Sequence, residues 1–143
     1  MDIIKINYQA ISKLITSYVP AIRFIDEDNG QLTDYEQPPV MFPCVLIDTG
    51  QVFYDNTEDL LKTAKCQVKV TVGFELLTPT DSLTPDPYVF DRSETIEAVK
   101  NTIQGFEPEH SSGFIIESNT RLKRPGYVIR ELTYNISYFG RSV

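Results

Sequence analysis

His110 is the only histidine in the 143 residues. It stands beside Ser111 and Ser112, so a nucleophile with its base is the first chemistry to weigh. Residues adjacent in sequence rarely face one another as a triad must, and no nucleophile elbow surrounds the EPEHSSG stretch. The expectation is an exposed turn histidine. Cys44 and Cys66 each sit in an apolar, strand-like run, which suits two buried free thiols better than a disulfide if the chain resides in a reducing compartment. Two distant cysteines and one histidine give too few ligands at too wide a spacing for a metal site. Asp26-Glu27-Asp28 invites comparison with a calcium loop. Counting from Asp26, however, Gly30 falls at the fifth position, where a ligand belongs, and Gln37 at the twelfth, where a bidentate Glu belongs. Neither GxGxxG nor GxxxxGK[ST] occurs. No catalytic residue, metal or cofactor is therefore expected, and the reading is of a protein that is not an enzyme.

Composition narrows the field further. A net charge of −7 disfavours binding along a phosphate backbone, which needs clustered Lys and Arg. The one basic group, Arg121, Lys123 and Arg124, reads as a solvated strand end. No apolar run approaches the ~20 residues that span a bilayer. The start, MDIIKINYQ, has an acidic second residue and no long apolar core, so a signal peptide is not expected and cytoplasmic residence is the default. Hydrophobic residues at 41% and charged residues at 23% are ordinary for one globular domain.

With chemistry set aside, the elements carry the argument. In TAKCQVKVTVGFELL the positions Ala64, Cys66, Val68, Val70, Val72, Phe74 and Leu76 alternate with Lys65, Gln67, Lys69, Thr71, Gly73 and Glu75. A period of two held this long predicts one long strand with a single buried face. Residues 3–18 predict an amphipathic helix with Asp2 as N-cap and a stripe of Ile4, Ile11, Leu14, Ile15 and Tyr18. Ala21 to Asp26 reads as a short strand, followed by a tight hairpin at Asn29-Gly30. In the run VMFPCVLI, from Val40 to Ile47, almost every position is apolar, which predicts a strand buried on both faces that pairs only after Pro43. Asp48-Thr49-Gly50 is expected to end it. Residues 77–87, with Pro79, Pro85 and Pro87, read as a long loop. A second helix is expected after Asp91 or Ser93 as cap, with Ile96, Val99, Ile103 and Phe106 as its stripe. Phe114–Leu122 and Tyr127–Phe139 predict a hairpin turning at Arg124-Pro125-Gly126. Together these give an α+β domain over residues 1–143: a mixed, mainly antiparallel sheet with two helices packed on one face.

Interaction is the function class left standing. The polar sides of the long strands, with Lys65, Gln67, Lys69 and Thr71 on one and Thr133, Asn135 and Ser137 on the other, are long and not strongly charged. A long exposed strand is an aggregation risk unless a partner or twist covers it. These faces therefore fit a subunit that pairs with copies of itself, and composition fits a monomer with solvated faces equally well. They are the candidate assembly contacts, together with Asp28 in the expected hairpin tip 26–31 and Asp81 and Asp86 in the loop 78–90.

Three stretches, PPVMFPCVLID at 38–48, CQVKVTVGFELL at 66–77 and YVIRELTYNISY at 127–138, resemble in pattern and order the tail terminator (tail-completion, minor tail protein U-like) proteins of tailed bacteriophages. The resemblance runs over nearly the whole chain and rests on hydrophobic patterning. It implies a prophage or virion structural protein that assembles with copies of itself as a ring, typically a hexamer, on the finished tail tube. Its partners would be the tail-tube and neck proteins, with no specific nucleic-acid binding and no membrane. Its location would be the host cytoplasm, then the virion tail. A head-tail connector subunit has the same size and character, and a small cytoplasmic ligand-binding domain with a pocket between sheet and helix is the reading from another class.

Overall fold

The alternating stretch sits at the centre of the sheet. In the computed structural model, which describes residues 1–55, 62–77, 88–140 and 143, the elements follow in the order α1 (Ile3–Tyr18), β1 (Phe24–Glu27), β2 (Cys44–Asp55), β3 (Thr63–Glu75), α2 (Val89–Ile103), β4 (Ile115–Arg124) and β5 (Tyr127–Phe139). The strands form one five-stranded sheet in the order β1-β2-β3-β5-β4. Strand β3 pairs antiparallel with β2 and along its whole length with β5, from Thr63 opposite Phe139 to Glu75 opposite Tyr127. The sheet is mixed because β1 alone lies parallel to its neighbour.

Both helices pack on the face that carries the even-numbered residues of β3. Ile11 and Ile15 of α1 and Ile96, Val99 and Ile103 of α2 close over Cys66, Val68, Val70, Leu132, Tyr134 and Tyr138. Helix α1 begins as expected, since the Asp2 carboxylate accepts from the Lys5 backbone N–H at 3.1 Å. Its buried side differs from the expected stripe: Ile3, Asn7, Ile11 and Ile15 recur every four residues, while Ile4 and Tyr18 are exposed. The polar Asn7 hides this spacing in the sequence. Helix α2 starts at Val89 behind Tyr88 with no side-chain cap bond, and Asp91 lies inside its first turn, so neither Asp91 nor Ser93 caps it. Phe106 falls beyond the helix end and is 41% exposed.

Among the described residues the second face of the sheet is covered only in part, and the expected hairpin at 26–31 is replaced by the segment that covers it. Because β1 and β2 run parallel, Phe24 opposite Cys44 through Glu27 opposite Ile47, the chain must return the length of the strand between them. Gly30 does take the positive φ (+83°) that a turn at Asn-Gly needs. Its carbonyl then accepts from both Thr33 and Asp34, which starts a run of turns, and no strand returns against β1. The returning segment lays Leu32 on Cys44, Leu46 and Ile129, with Val40 and Phe42 beside them. Arg124 holds it there: its guanidinium donates to the Leu32, Tyr35 and Glu36 carbonyls and lies 4.8 Å from the Tyr127 ring centroid. Arg124 is thus a structural clamp, where the sequence suggested a solvated strand end.

Val45 and Ile47 join the helix-side core while Cys44 and Leu46 join the second-face cluster, so β2 is buried on both sides and pairing begins after Pro43, as expected. Asp48-Thr49-Gly50 does not end the strand. A bulge between Thr49 and Val52 inserts a residue, and the strand continues to Asp55 with its face parity reversed. The two cysteines are free, buried and on opposite faces of the sheet. Loop residues 78–87, and with them Asp81 and Asp86, lie outside the described residues.

Candidate assembly surface

Past the cover provided by residues 28–43, the second face is open among the described residues. Lys65, Gln67 and Lys69 are exposed there, as the alternation of β3 predicts. Thr71 is not: Leu46 stands opposite it, Gly73 follows under Leu32, and only 4% of it is exposed. It is removed from the candidate contacts, and Thr133 on β5 is buried likewise. The polar side of β3 therefore divides at Lys69, with structural residues above and accessible ones below. Periodicity assigns a face and says nothing of where a non-adjacent loop will cover it.

The open half is bordered by the register of the strands. Phe53 lies opposite Lys65, Asn135 opposite Gln67, and Ser137 opposite Lys65 on the other side. These residues line a shallow trough of about 640 Å³ that also takes in Asp48 and Lys69. Phe53 (61% exposed), Ile115 (52%) and Phe139 (41%) stand on the same face. The sequence reading missed Phe53 because its face is set by the bulge: an unbulged strand would place it with Val45 and Ile47 on the helix side.

The charges in the trough are partly satisfied. Gln67 donates to a Glu117 carboxylate oxygen at 2.8 Å, and the Lys69 ammonium stands 3.7 Å from Glu131. Both contacts are solvent-exposed and so contribute little to stability. Asp28 lies elsewhere, at the end of β1, where its backbone N–H donates to Ile47 O at 2.9 Å and its carboxylate accepts from Gly30 N at 3.0 Å.

The groups that suggested chemistry are placed as follows. His110 projects into solvent from a residue with φ of 59°, with Glu109 3.5 Å away. Burial pushes the Cys44 thiol up to about 12, and burial raises Cys66 as well, so both are protonated near neutrality and poor nucleophiles. Among the described residues no group of three or more His, Cys, Asp and Glu side chains is arranged to hold a metal ion. No described helix is long and apolar enough to cross a membrane.

One buried polar cluster ties the layers together. Tyr138 donates to Asn7 Oδ1 at 2.5 Å, and Asn7 Nδ2 reaches Thr49 Oγ1 at 3.2 Å and Cys66 Sγ at 3.6 Å. A single amide thus joins α1 to β2, β3 and β5. Tyr134, also buried, donates to the Lys100 carbonyl of α2 at 2.9 Å. Comparison with protein-family models and with curated proteins finds no match.

Proposed function

We propose that this chain is a structural subunit of a phage or prophage tail, a tail terminator whose copies form a ring on the end of the tail tube and stop its growth. The observation that carries the reading is the sheet face left partly open among the described residues. Exposed Phe53, Ile115 and Phe139 stand on the same sheet face as Lys65, Gln67 and Lys69. Aromatic and aliphatic side chains rimmed by polar ones are what a protein contact buries. The sequence resemblance supplies the identity of the assembly. Capping then needs one ring face complementary to the last ring of the tube and another that offers no further site of addition.

The test is tube growth. Tail-tube subunits from the same genome, polymerising in vitro, should stop elongating when this protein is added at a ratio of one ring per tube end. Tubes that lengthen unchanged in its presence would refute the terminator reading. A ligand-binding domain, the reading from another class, draws support from an apolar cleft of about 300 Å³ lined by Phe74, Leu76, Leu77 and Tyr88. A small apolar molecule that raised the melting temperature of a strictly monomeric protein would favour that reading instead.

A further inference from the structure

The sheet has two edges, and they differ in how they are finished. At β1 the last outward residue, Glu27, is capped by side chains: its N–H donates to Asp26 Oδ1 at 2.8 Å, and its carbonyl accepts from Gln31 Nε2 at 2.9 Å. Strand β1 stops at Glu27, opposite Ile47, so β2 runs on beyond it with no described strand on its outer flank. The backbone groups of Ile47 and Pro43 face β1, and that alternation, carried through the bulge, turns the N–H and C=O of Thr49, Val52 and Tyr54 outward. At the opposite edge, the two-residue turn makes Arg124 and Tyr127 the hydrogen-bonded closing pair of the β4–β5 hairpin. Asn119, Arg121 and Lys123 therefore present their backbone groups outward. Ile116, at the start of the same edge, has its N–H taken by Gln104 Oε1 at 2.7 Å. Among the described residues, neither the 49–54 stretch of β2 nor the 118–123 stretch of β4 has a backbone partner on its outer side. Proteins usually blunt such edges; here the bulges at Thr49/Val52 and Ile116/Ser118 and the charges of Arg121 and Lys123 still leave the outward backbone groups unpaired among the described residues.

The two open edges are complementary in charge and in apolarity. The β2 edge begins beside Asp26 and Glu27, in a cleft of about 420 Å³ where Asp2, Asp26 and Glu27 outnumber the single cation Lys5, and it ends beside exposed Ile4 and Tyr54. The negative field there is felt by Tyr8, whose hydroxyl is raised first by burial and then by Asp26 and Glu27. The β4 edge runs the other way: Ile115 and Ile116 come first, and Arg121 and Lys123 come last. Acid against base and apolar against apolar are satisfied together only when the two strands run antiparallel.

That direction is also required by symmetry. Strands β2, β3, β5 and β4 alternate in direction across the sheet, so β4 of one copy and β2 of an identically oriented copy are antiparallel. Copies related by rotation about an axis along the strands keep that orientation, and a head-to-tail contact of this kind closes into a ring when the rotation permits. A two-fold across the strands would instead pair β4 with β4 or β2 with β2, and set the charged end of each edge against the apolar end of its copy.

We infer that the outer edge of β4 adds to the free edge of β2 in a second copy of this chain, so that one sheet continues from subunit to subunit. The inference deepens the ring reading above and rests on it. The contact is strand addition, in which backbone hydrogen bonds supply cohesion while Arg121 and Lys123 against Asp26 and Glu27 set register and direction.

Sizing chromatography with light scattering tests it, using the whole chain and four variants. Wild type should run as an oligomer of the 16.3 kDa chain. Arg121→Glu with Lys123→Glu should raise the concentration at which it dissociates at least tenfold, and so should Glu27→Arg. Combining these substitutions in one chain should restore assembly. Asn119→Pro removes one outward N–H without touching the β5 ladder, and it should dissociate the oligomer without altering any charge. Circular dichroism melts confirm that each variant is folded. An oligomer whose mass none of these changes moves would overturn the edge contact and leave the ring reading standing. A wild-type chain that is monomeric at every concentration would overturn both.

Discussion

Asn7 makes the sharpest stability prediction, because its amide is the one polar group of the α1 face inside the core. Tyr138 is fully buried, and its hydroxyl donates to Asn7 Oδ1 at 2.5 Å. Asn7→Leu keeps the branched shape of the side chain, with bulkier methyl groups, and removes the acceptor, leaving a buried hydroxyl without a partner. Such an orphan costs about 1–3 kcal/mol, and the lost contacts to Thr49 and Cys66 place the change at the upper end of that range. Tyr138→Phe leaves the Asn7 carbonyl oxygen unpaired but keeps its Nδ2 contacts, so about 1–2 kcal/mol is expected. In the double variant both members of the bond are apolar and neither orphan exists. It should therefore cost less than the sum of the singles by roughly 1–2 kcal/mol. Urea unfolding of the four proteins, with equal slopes, measures the coupling directly. Singles that add to within about 0.5 kcal/mol would refute the bond as an organising contact between helix and sheet.

Three further outcomes follow from the packing. Gly73→Ala places a methyl 2.9 Å from Leu32 Cδ1 and 3.0 Å from Cys44 Sγ, so overpacking should lower stability by about 1–3 kcal/mol and loosen the 28–43 cover, seen as faster amide exchange there. Cys44 has its pKa raised from 9.0 to about 12, so the folded state holds that proton more tightly than the unfolded one. Its contribution is full below pH 9 and is lost as pH rises toward 12, at about 1.4 kcal/mol per pH unit, so Cys44→Ala should reduce the slope of urea midpoints measured between pH 9 and 10.5 to the part that buried Cys66 contributes. Charge reversal of Lys65 and Lys69 together should leave the melting temperature nearly unchanged, since both are exposed, while weakening the cap on a tail tube at least tenfold in effective concentration.

Much of the architecture was legible because its signals are local. The alternation of β3, the Asp2 cap, the Pro-Gly turn between β4 and β5, and the doubly apolar run after Pro43 each state an element within a few residues. What escaped depends on contacts distant in sequence. Asn29-Gly30 turns the chain as its φ preference requires, but Arg124, far along the chain, captures the carbonyls that follow and turns an expected hairpin into a crossover. Asn7 breaks the apolar stripe of α1, and its burial makes sense only beside Tyr138. The bulge at Thr49–Val52 moves Phe53 to the open face, a shift that no periodicity through Gly50 announces. The candidate surface was therefore half readable: Lys65, Gln67 and Lys69 from alternation, but neither the loss of Thr71 nor the gain of Phe53.

The central claim, that this surface and these edges exist for assembly, is tested most directly by the mass of the native protein. Native mass spectrometry across a hundredfold range of concentration should show one closed species at an integer multiple of 16.3 kDa that grows no further as concentration rises. A single 16.3 kDa species throughout that range would contradict the account.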